Sequence, residues 1–290
     1  MCDNTYNLVQ SRYGDIAKQS NNGQQHDKEE EIARAFGYSA EDLSSLPAKT
    51  NLGLSCGNPV GFANVKGGET VLDLGSGSGI DVVLAARKVG PNGQAIGVDM
   101  TKSMIELAKK NIHKAGLPNA RIIEANINSI PLPDSSVDCI ISNCVINLVP
   151  ATDKAAVFKE IARLLKPGGR VAISDILARK PLPDHITDNM ALYVGCVAGA
   201  SQTGAYEDYL RQAGFEGMHT AIKIVYSTNL VLDVLLVDTK SDLNVYKESS
   251  YLPQGSCCGS SSGRNETVGD IAGLDFNEWV GSFQIYAIKA

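Results

Sequence analysis

An α/β architecture built on a doubly wound parallel sheet is what this sequence predicts, and three observations predict it. From about residue 68 short apolar segments alternate with helix-periodic ones. The apolar segments show no clear polar alternation, as expected of parallel strands covered on both faces. The first of them runs into a loop with three glycines, Gly75-Ser76-Gly77-Ser78-Gly79, which opens a helix.

The elements follow in order. Residues 5–18 carry Leu8, Val9, Tyr13 and Ile16 near helical spacing, an amphipathic helix. Residues 20–26 read as a solvated linker, and Asp27 as the cap of a second helix reaching Gly37. Strands are expected at 70–74, 94–98, 120–125, 137–142 and 170–176, with helices at 80–89, 102–115 and 154–165 between them. Lys166-Pro167-Gly168-Gly169 stops a helix and turns the chain into a strand. A helical insertion at 184–197 and a helix at 204–213 precede two last strands, 218–226 and 281–288, around an irregular Gly/Ser-rich run that contains Cys257-Cys258. The organisation expected is an N-terminal helical cap with the Cys56 loop over residues 1–67, an α/β core over 68–180, and a substrate-side extension over 181–290.

Composition narrows the function. At 290 residues and 43% hydrophobic the chain can bury one large core. A formal charge of −6 offers no basic footprint for a phosphate backbone, so a nucleic-acid partner is disfavoured. Met1–Gln10 has neither a basic start nor an apolar run, and no apolar stretch reaches the ~20 residues of a membrane span, so a cytoplasmic protein without a membrane partner is expected. Seven cysteines with no Cys-x-x-Cys pair, and four scattered histidines, argue against a structural metal.

Beyond the glycine loop, a carboxylate closes the second strand in Gly97-Val98-Asp99-Met100, in reach of a ribose diol. Asp73, Asp99, the Asn126-Ile127 pair and Asn143 form the series expected along an S-adenosylmethionine site. Over residues 68–180 the chain resembles class I methyltransferases. The resemblance implies a seven-stranded sheet with an antiparallel last strand. It also implies contacts from Gly75, Ser76 and Gly77 to the amino-acid end of the donor, from Asp99 and Met100 to ribose and adenine, from Asn126 and Ile127 to the adenine edge, and from Asn143 to the methionine part.

Three cysteines have glycine-flanked or strand-end settings: Leu54-Ser55-Cys56-Gly57-Asn58-Pro59, Ser142-Asn143-Cys144-Val145-Ile146-Asn147, and Val194-Gly195-Cys196-Val197-Ala198-Gly199. A soft thiol stands after the fourth strand where amine methylating enzymes carry a polar clamp. Cys139, in mid-strand, reads as a small core hydrophobe. These phrases, with Val9-Gln10-Ser11-Arg12-Tyr13-Gly14, resemble arsenite S-adenosylmethionine methyltransferases over most of the chain. The resemblance implies that Cys144 and Cys196 hold trivalent arsenic and that Cys56 takes part in binding and redox chemistry. It further implies arsenite or methylarsenite as substrate, a role in detoxification, and a thiol reductant, thioredoxin or glutathione, with thioredoxin a candidate partner. Many members carry a further cysteine shortly before the Cys56 phrase; residues 19–26 here hold none. Trivalent arsenic is pyramidal, so thiolates can occupy one side while its lone pair faces a sulfonium methyl, and positioning supplies the catalysis without a general base. Two other readings compete: a small-molecule C-methyltransferase acting on a quinone-like substrate, and a non-catalytic thiol-rich metalloid binder. The first leaves three cysteines unexplained, and the second has no use for a donor site.

Overall fold

The computed structural model describes residues 2–19, 26–215, 234–238 and 275–290. Helices α1 (Cys2–Gln19), α2 (His26–Ala35), α3 (Ala40–Ser45) and α4 (Pro59–Phe62) precede the sheet. The core then runs β1 (Thr70–Leu74), α5 (Ile80–Val89), β2 (Gln94–Asp99), α6 (Lys102–Lys114), β3 (Ala120–Glu124), β4 (Val137–Asn143), a 3-10 turn (Ile146–Leu148), α7 (Ala151–Leu164) and β5 (Leu165–Ala178). After it come α8 (Asp184–Thr187), α9 (Met190–Val194), α10 (Thr203–Gln212), β6 (Val234–Asp238), α11 (Phe276–Trp279) and β7 (Val280–Ile288).

One sheet orders its strands β3-β2-β1-β4-β5-β7-β6. β1 pairs in parallel with β2 on one side and β4 on the other, and β7 lies antiparallel between β5 and β6. The expectation of an apolar sheet without polar alternation has a simple basis, because successive residues enter different cores. Leu72, Ile96, Ile140 and Ile173 pack on one face with Phe158, Ile161, Tyr206 and Leu210. Val71, Ala95, Cys139, Ile141 and Ala172 pack on the other with Val60, Val83, Ile105 and Ala108. Alternation in a strand is between faces, and here both faces are dry. Cys139 is buried in this second core, as its mid-strand position suggests.

The strand order reverses between β1 and β4, which opens a crevice at their carboxyl ends. α1 bridges it with contacts to widely separated elements. Gln10 Nε2 donates to the Met100 carbonyl at 3.0 Å, Tyr13 Oη to the Val194 carbonyl at 3.3 Å, and Tyr6 Oη to Asp153 Oδ2 at 2.9 Å.

Three expectations need correction. β5 begins at Leu165, directly after α7, so the Lys166-Pro167-Gly168-Gly169 turn lies within the strand; Gly168 at φ +74° and a register shift between Val137 and Cys139 accommodate it. The single helix expected over 184–197 is two short ones, and Cys196 follows them with φ +65°, which no helix continues. α2 starts at His26, so Asp27 lies inside its first turn and does not cap it. Among the described residues the strand beside β7 is Val234–Asp238; the expected strand at 218–226, the linker at 20–25 and Cys257-Cys258 lie outside the described residues.

Phe158 anchors the first core, its ring centroid 5.2 Å from Tyr206 edge-to-face and 5.4 Å from Tyr209 in a stack. Phe158→Ala is expected to cost about 3–5 kcal/mol in urea unfolding, since a fully buried aromatic leaves a cavity the sheet cannot close.

Candidate functional site

The crevice is a cleft of about 1040 Å³ open to solvent, and Gly75, Ser76, Gly77 and Ser78 form its floor. The loop is fastened from three directions: Ser76 N–H donates to the Val98 carbonyl at 2.9 Å, Ser78 Oγ to the Thr50 carbonyl at 2.6 Å, and Asn111 Nδ2 to the Ser78 carbonyl at 2.9 Å. Gly75 has φ +67°, and a Cβ there would come within 2.5 Å of Val145. A Cβ on Gly77 would meet nothing within 4 Å, so at that residue the backbone faces open space where a ligand can approach it.

Three carboxylates surround the floor. Asp99 closes β2; its Oδ2 accepts from Gly77 N–H at 2.9 Å and its Oδ1 from Thr101 N–H at 2.7 Å. Burial raises its pKa despite these donors. Asp73, at the end of β1, is held well above the usual range by burial and then by the charges of Asp81 and Asp99. Asp81, in the first turn of α5, is pushed up to about 6 by burial, against hydrogen bonds from Asn143 and Tyr38. None of the described lining residues is lysine or arginine. A buried group of carboxylates without a cation is a site for a cationic ligand. Ser76 Oγ is buried without a hydrogen-bond partner, a second polar atom left for such a ligand. The cleft residues therefore fit the donor that the resemblance implies, which carries a sulfonium and an ammonium. Asn126, Ile127 and Met100 line the same cleft.

Asn143 also lines the cleft, and its amide is engaged by the protein itself. Its Nδ2 donates to Tyr38 Oη at 2.9 Å, the Gly57 carbonyl at 2.8 Å and Asp81 Oδ2 at 3.1 Å, while its Oδ1 accepts from Cys56 N–H at 3.0 Å. The amide is spent on protein groups and ties the Cys56 loop to β4. Asp81 and Tyr38, the partners in this clamp, are missed by the sequence reading. The one signal for Asp81 is a carboxylate two residues past the last glycine of the loop.

The three singled-out cysteines converge in one buried apolar cluster with Val9, Ile176, Leu192 and Phe276. They are not three free thiols, however. Cys56 and Cys144 are joined in a disulfide with a Cα–Cα distance of 5.4 Å, whereas Cys196 is free and its Sγ donates to the Cys144 carbonyl at 3.0 Å. Spacing along the chain cannot reveal the pairing, because 88 positions separate the two residues. Burial pushes the Cys196 thiol up, most strongly of its influences, and Asp175 adds to the effect. Cys144 and Cys196 share a feature rare outside glycine, a left-handed backbone with φ of +59° and +65°. The side chain of Cys2 is not among the described ones.

Known proteins place this geometry in context. An arsenite methyltransferase of Halobacterium salinarum is 45% identical over 75% of this chain and 54% of its own length. One from Aquipseudomonas alcaligenes is 38% identical over 60% of this chain and 55% of its own. The chain thus spans about half the length of these curated relatives. Among solved structures, an arsenic(III) S-adenosylmethionine methyltransferase from Chlamydomonas reinhardtii superposes with a TM-score of 0.57 at 27% identity, over 89% of this chain and 73% of that one. The family described as "Methyltransferase domain" matches residues 65–214, from just before β1 to past α10. That match takes in just over half of the sequence and the whole glycine cradle, and with it the chain belongs to the methyltransferase domain family.

Proposed function

We propose that the protein transfers a methyl group from S-adenosylmethionine to trivalent arsenic, presented as arsenite or methylarsenite, as a detoxifying enzyme. The observation that carries this reading is the convergence of Cys56, Cys144 and Cys196 beside a carboxylate-lined, glycine-floored cleft. The names of the relatives support the same substrate. A quinone-type acceptor would need neither a disulfide nor a third buried thiol at this place. Cytoplasmic location belongs to the same proposal; among the described residues no helix is long and apolar enough to cross a membrane.

When bound, S-adenosylmethionine supplies an electrophilic methyl group. Asp99 would hold the ribose diol, Gly75, Ser76 and Gly77 the amino-acid end, Asn126, Ile127 and Met100 the adenine, and Asp73 with Asp81 the positive charge. Asn143 serves the donor by holding Asp81 and the Cys56 loop in place. On the acceptor side, reduced Cys144 and Cys196 thiolates bind arsenic and Cys56 adds a third for arsenite. The arsenic lone pair becomes the new As–C bond, while the electrons of the broken S–C bond stay on sulfur. Arsenic has then formally lost two electrons. Cys56 and Cys144 return them by closing to the disulfide, and a dithiol or glutathione-type reductant, thioredoxin among them, reopens it.

The donor site is testable by calorimetry. Asp99→Ala should weaken S-adenosylmethionine binding roughly tenfold or more, as expected for a lost charge-assisted contact of ~1.5–3 kcal/mol. An affinity within threefold of wild type removes Asp99 from the ribose. Asp81 adds a pH signature. A cationic ligand favours the ionised carboxylate, so its affinity should fall as pH drops from 7 to 5 through about 6. Asp81→Asn should flatten that dependence. Stability without ligand runs the other way: a raised native pKa means the folded state holds the proton longer, so the contribution is full below the ordinary 3.8 and is lost as pH rises through about 6.

The acceptor site is tested with two arsenicals. Cys144→Ser and Cys196→Ser should each abolish methylation even of methylarsenite, which needs only two thiolates. Cys56→Ser should lose activity on arsenite and keep much of it on methylarsenite when external thiol is supplied. Equal loss on both substrates assigns Cys56 a redox or structural part instead of ligation.

A further inference from the structure

We infer that Lys154 is a positioning residue for the acceptor thiol: from α7 it clamps the loop after Cys196 and holds that cysteine in its left-handed backbone beside Cys144. The inference rests on the reading of Cys196 as an arsenic ligand and concerns a residue outside the cleft lining.

A lysine only 3% exposed calls for an explanation, since desolvating an ammonium is costly. Lys154 Nζ donates to the Gly199 carbonyl and to Ser201 Oγ, the latter at 2.9 Å, both on the segment that follows Cys196. Its charge is faced by Asp175 of β5, a fully buried carboxylate. Asp175 in turn accepts from Tyr206 Oη at 2.7 Å and from Asn147 Nδ2 at 3.0 Å. Asn147 completes the arrangement, because the same amide donates to the Cys196 carbonyl at 3.2 Å and to the Ile176 carbonyl. The loop also sits tightly: a Cβ on Gly199 would collide with the Asn147 carbonyl oxygen.

The cluster thus grips the loop at both ends of the turn, Asn147 at Cys196 and Lys154 at Gly199 and Ser201. A non-glycine residue at φ +65° persists only where its surroundings over-determine it. Backbone bonds at the end of α9, Cys196 N–H to the Tyr193 carbonyl at 3.0 Å and Val197 N–H to the Leu192 carbonyl at 2.9 Å, close the turn from one side, and the Asn147 and Lys154 contacts hold it from the other, the lysine facing the buried Asp175 as well. Releasing Lys154 lets the loop relax, and the Cys196 sulfur leaves the position from which it shares arsenic with Cys144. Small displacements of this kind are expensive for a ligand that needs two thiolates at once.

The experiment uses the reduced full-length chain and phenylarsine oxide, a trivalent arsenical with one fixed carbon, beside S-adenosylmethionine. Lys154→Met is expected to weaken phenylarsine oxide binding at least tenfold and to raise KM for methylarsenite similarly. S-adenosylmethionine affinity should stay within twofold and kcat within threefold. Amides between 196 and 201 should exchange faster while those of β1 and β4 do not change. Lys154→Arg, which keeps the cation and its donors, should recover most of the arsenical affinity; general destabilisation would produce neither this split nor this rescue. If Lys154→Met fails to fold, Ser201→Ala removes one acceptor from the same clamp and is expected to weaken arsenical binding three- to fivefold. Unchanged arsenical binding in the folded variant, or joint loss of donor and arsenical affinity, overturns the inference. Wild-type phenylarsine oxide binding by Cys196→Ser overturns the underlying ligand assignment, a failure that the Lys154 variants alone would not produce.

Discussion

The side chain of Asn143 is the joint on which the site depends. It stands at the carboxyl end of β4, where the sheet reverses, and reaches the Cys56 loop, the Tyr38 hydroxyl and Asp81 with one amide. Each hydrogen bond contributes only about 1 kcal/mol net, but its loss would leave Asp81 and a buried tyrosine less satisfied, and that penalty is larger. Together with the Cys56–Cys144 disulfide and the Ser282 bond to the Cys56 carbonyl, this amide fixes the Cys56 loop against the sheet. The next residue, Cys144, leaves β4 in a left-handed turn, so one short stretch sets both a wall of the cleft and one member of the cysteine cluster.

The two halves of the site have opposite chemistry. The donor side is a nest of carboxylates and backbone amides without a cation among the described lining residues. The acceptor side is apolar and holds sulfur. A sulfonium bound between them would be attracted to the first and would present its methyl carbon to the second. The lone-pair nucleophile proposed here needs no proton removed. α1 covers both halves, with one hydrogen bond on the Met100 side and another on the Val194 side.

Much of this was legible in the sequence because its causes are local. Strand positions followed from apolar runs, the cradle from Gly75, Gly77 and Gly79, and a cleft carboxylate, Asp99, from the end of the second strand. The convergence of Cys56, Cys144 and Cys196 was read from resemblance, and their pairing state could not be, since a disulfide depends on two backbone directions far apart in the chain. Asp81 and Lys154 were hidden for another reason. Each occupies an ordinary place in a helix-periodic pattern, where a charge reads as solvent-facing, and only the packing of α5 and α7 against other elements buries it. Asn143 was read from its strand-end position and does line the cleft, but its hydrogen bonds to Tyr38, Gly57 and Asp81 join segments far apart in the chain and were not legible.

The cross-link joins residues 88 apart in sequence, Cys56 and Cys144, and the loop it closes includes β1, the glycine cradle, β2, β3 and β4. Closing a loop of that length removes chain entropy from the unfolded ensemble worth roughly 4–5 kcal/mol. The bond assigned an electron-transfer role in the proposed mechanism therefore also contributes to the thermal durability of the molecule. A preparation of mixed oxidation state is two populations with separate melting transitions, and its reductant is in effect a denaturing agent at the temperature between them.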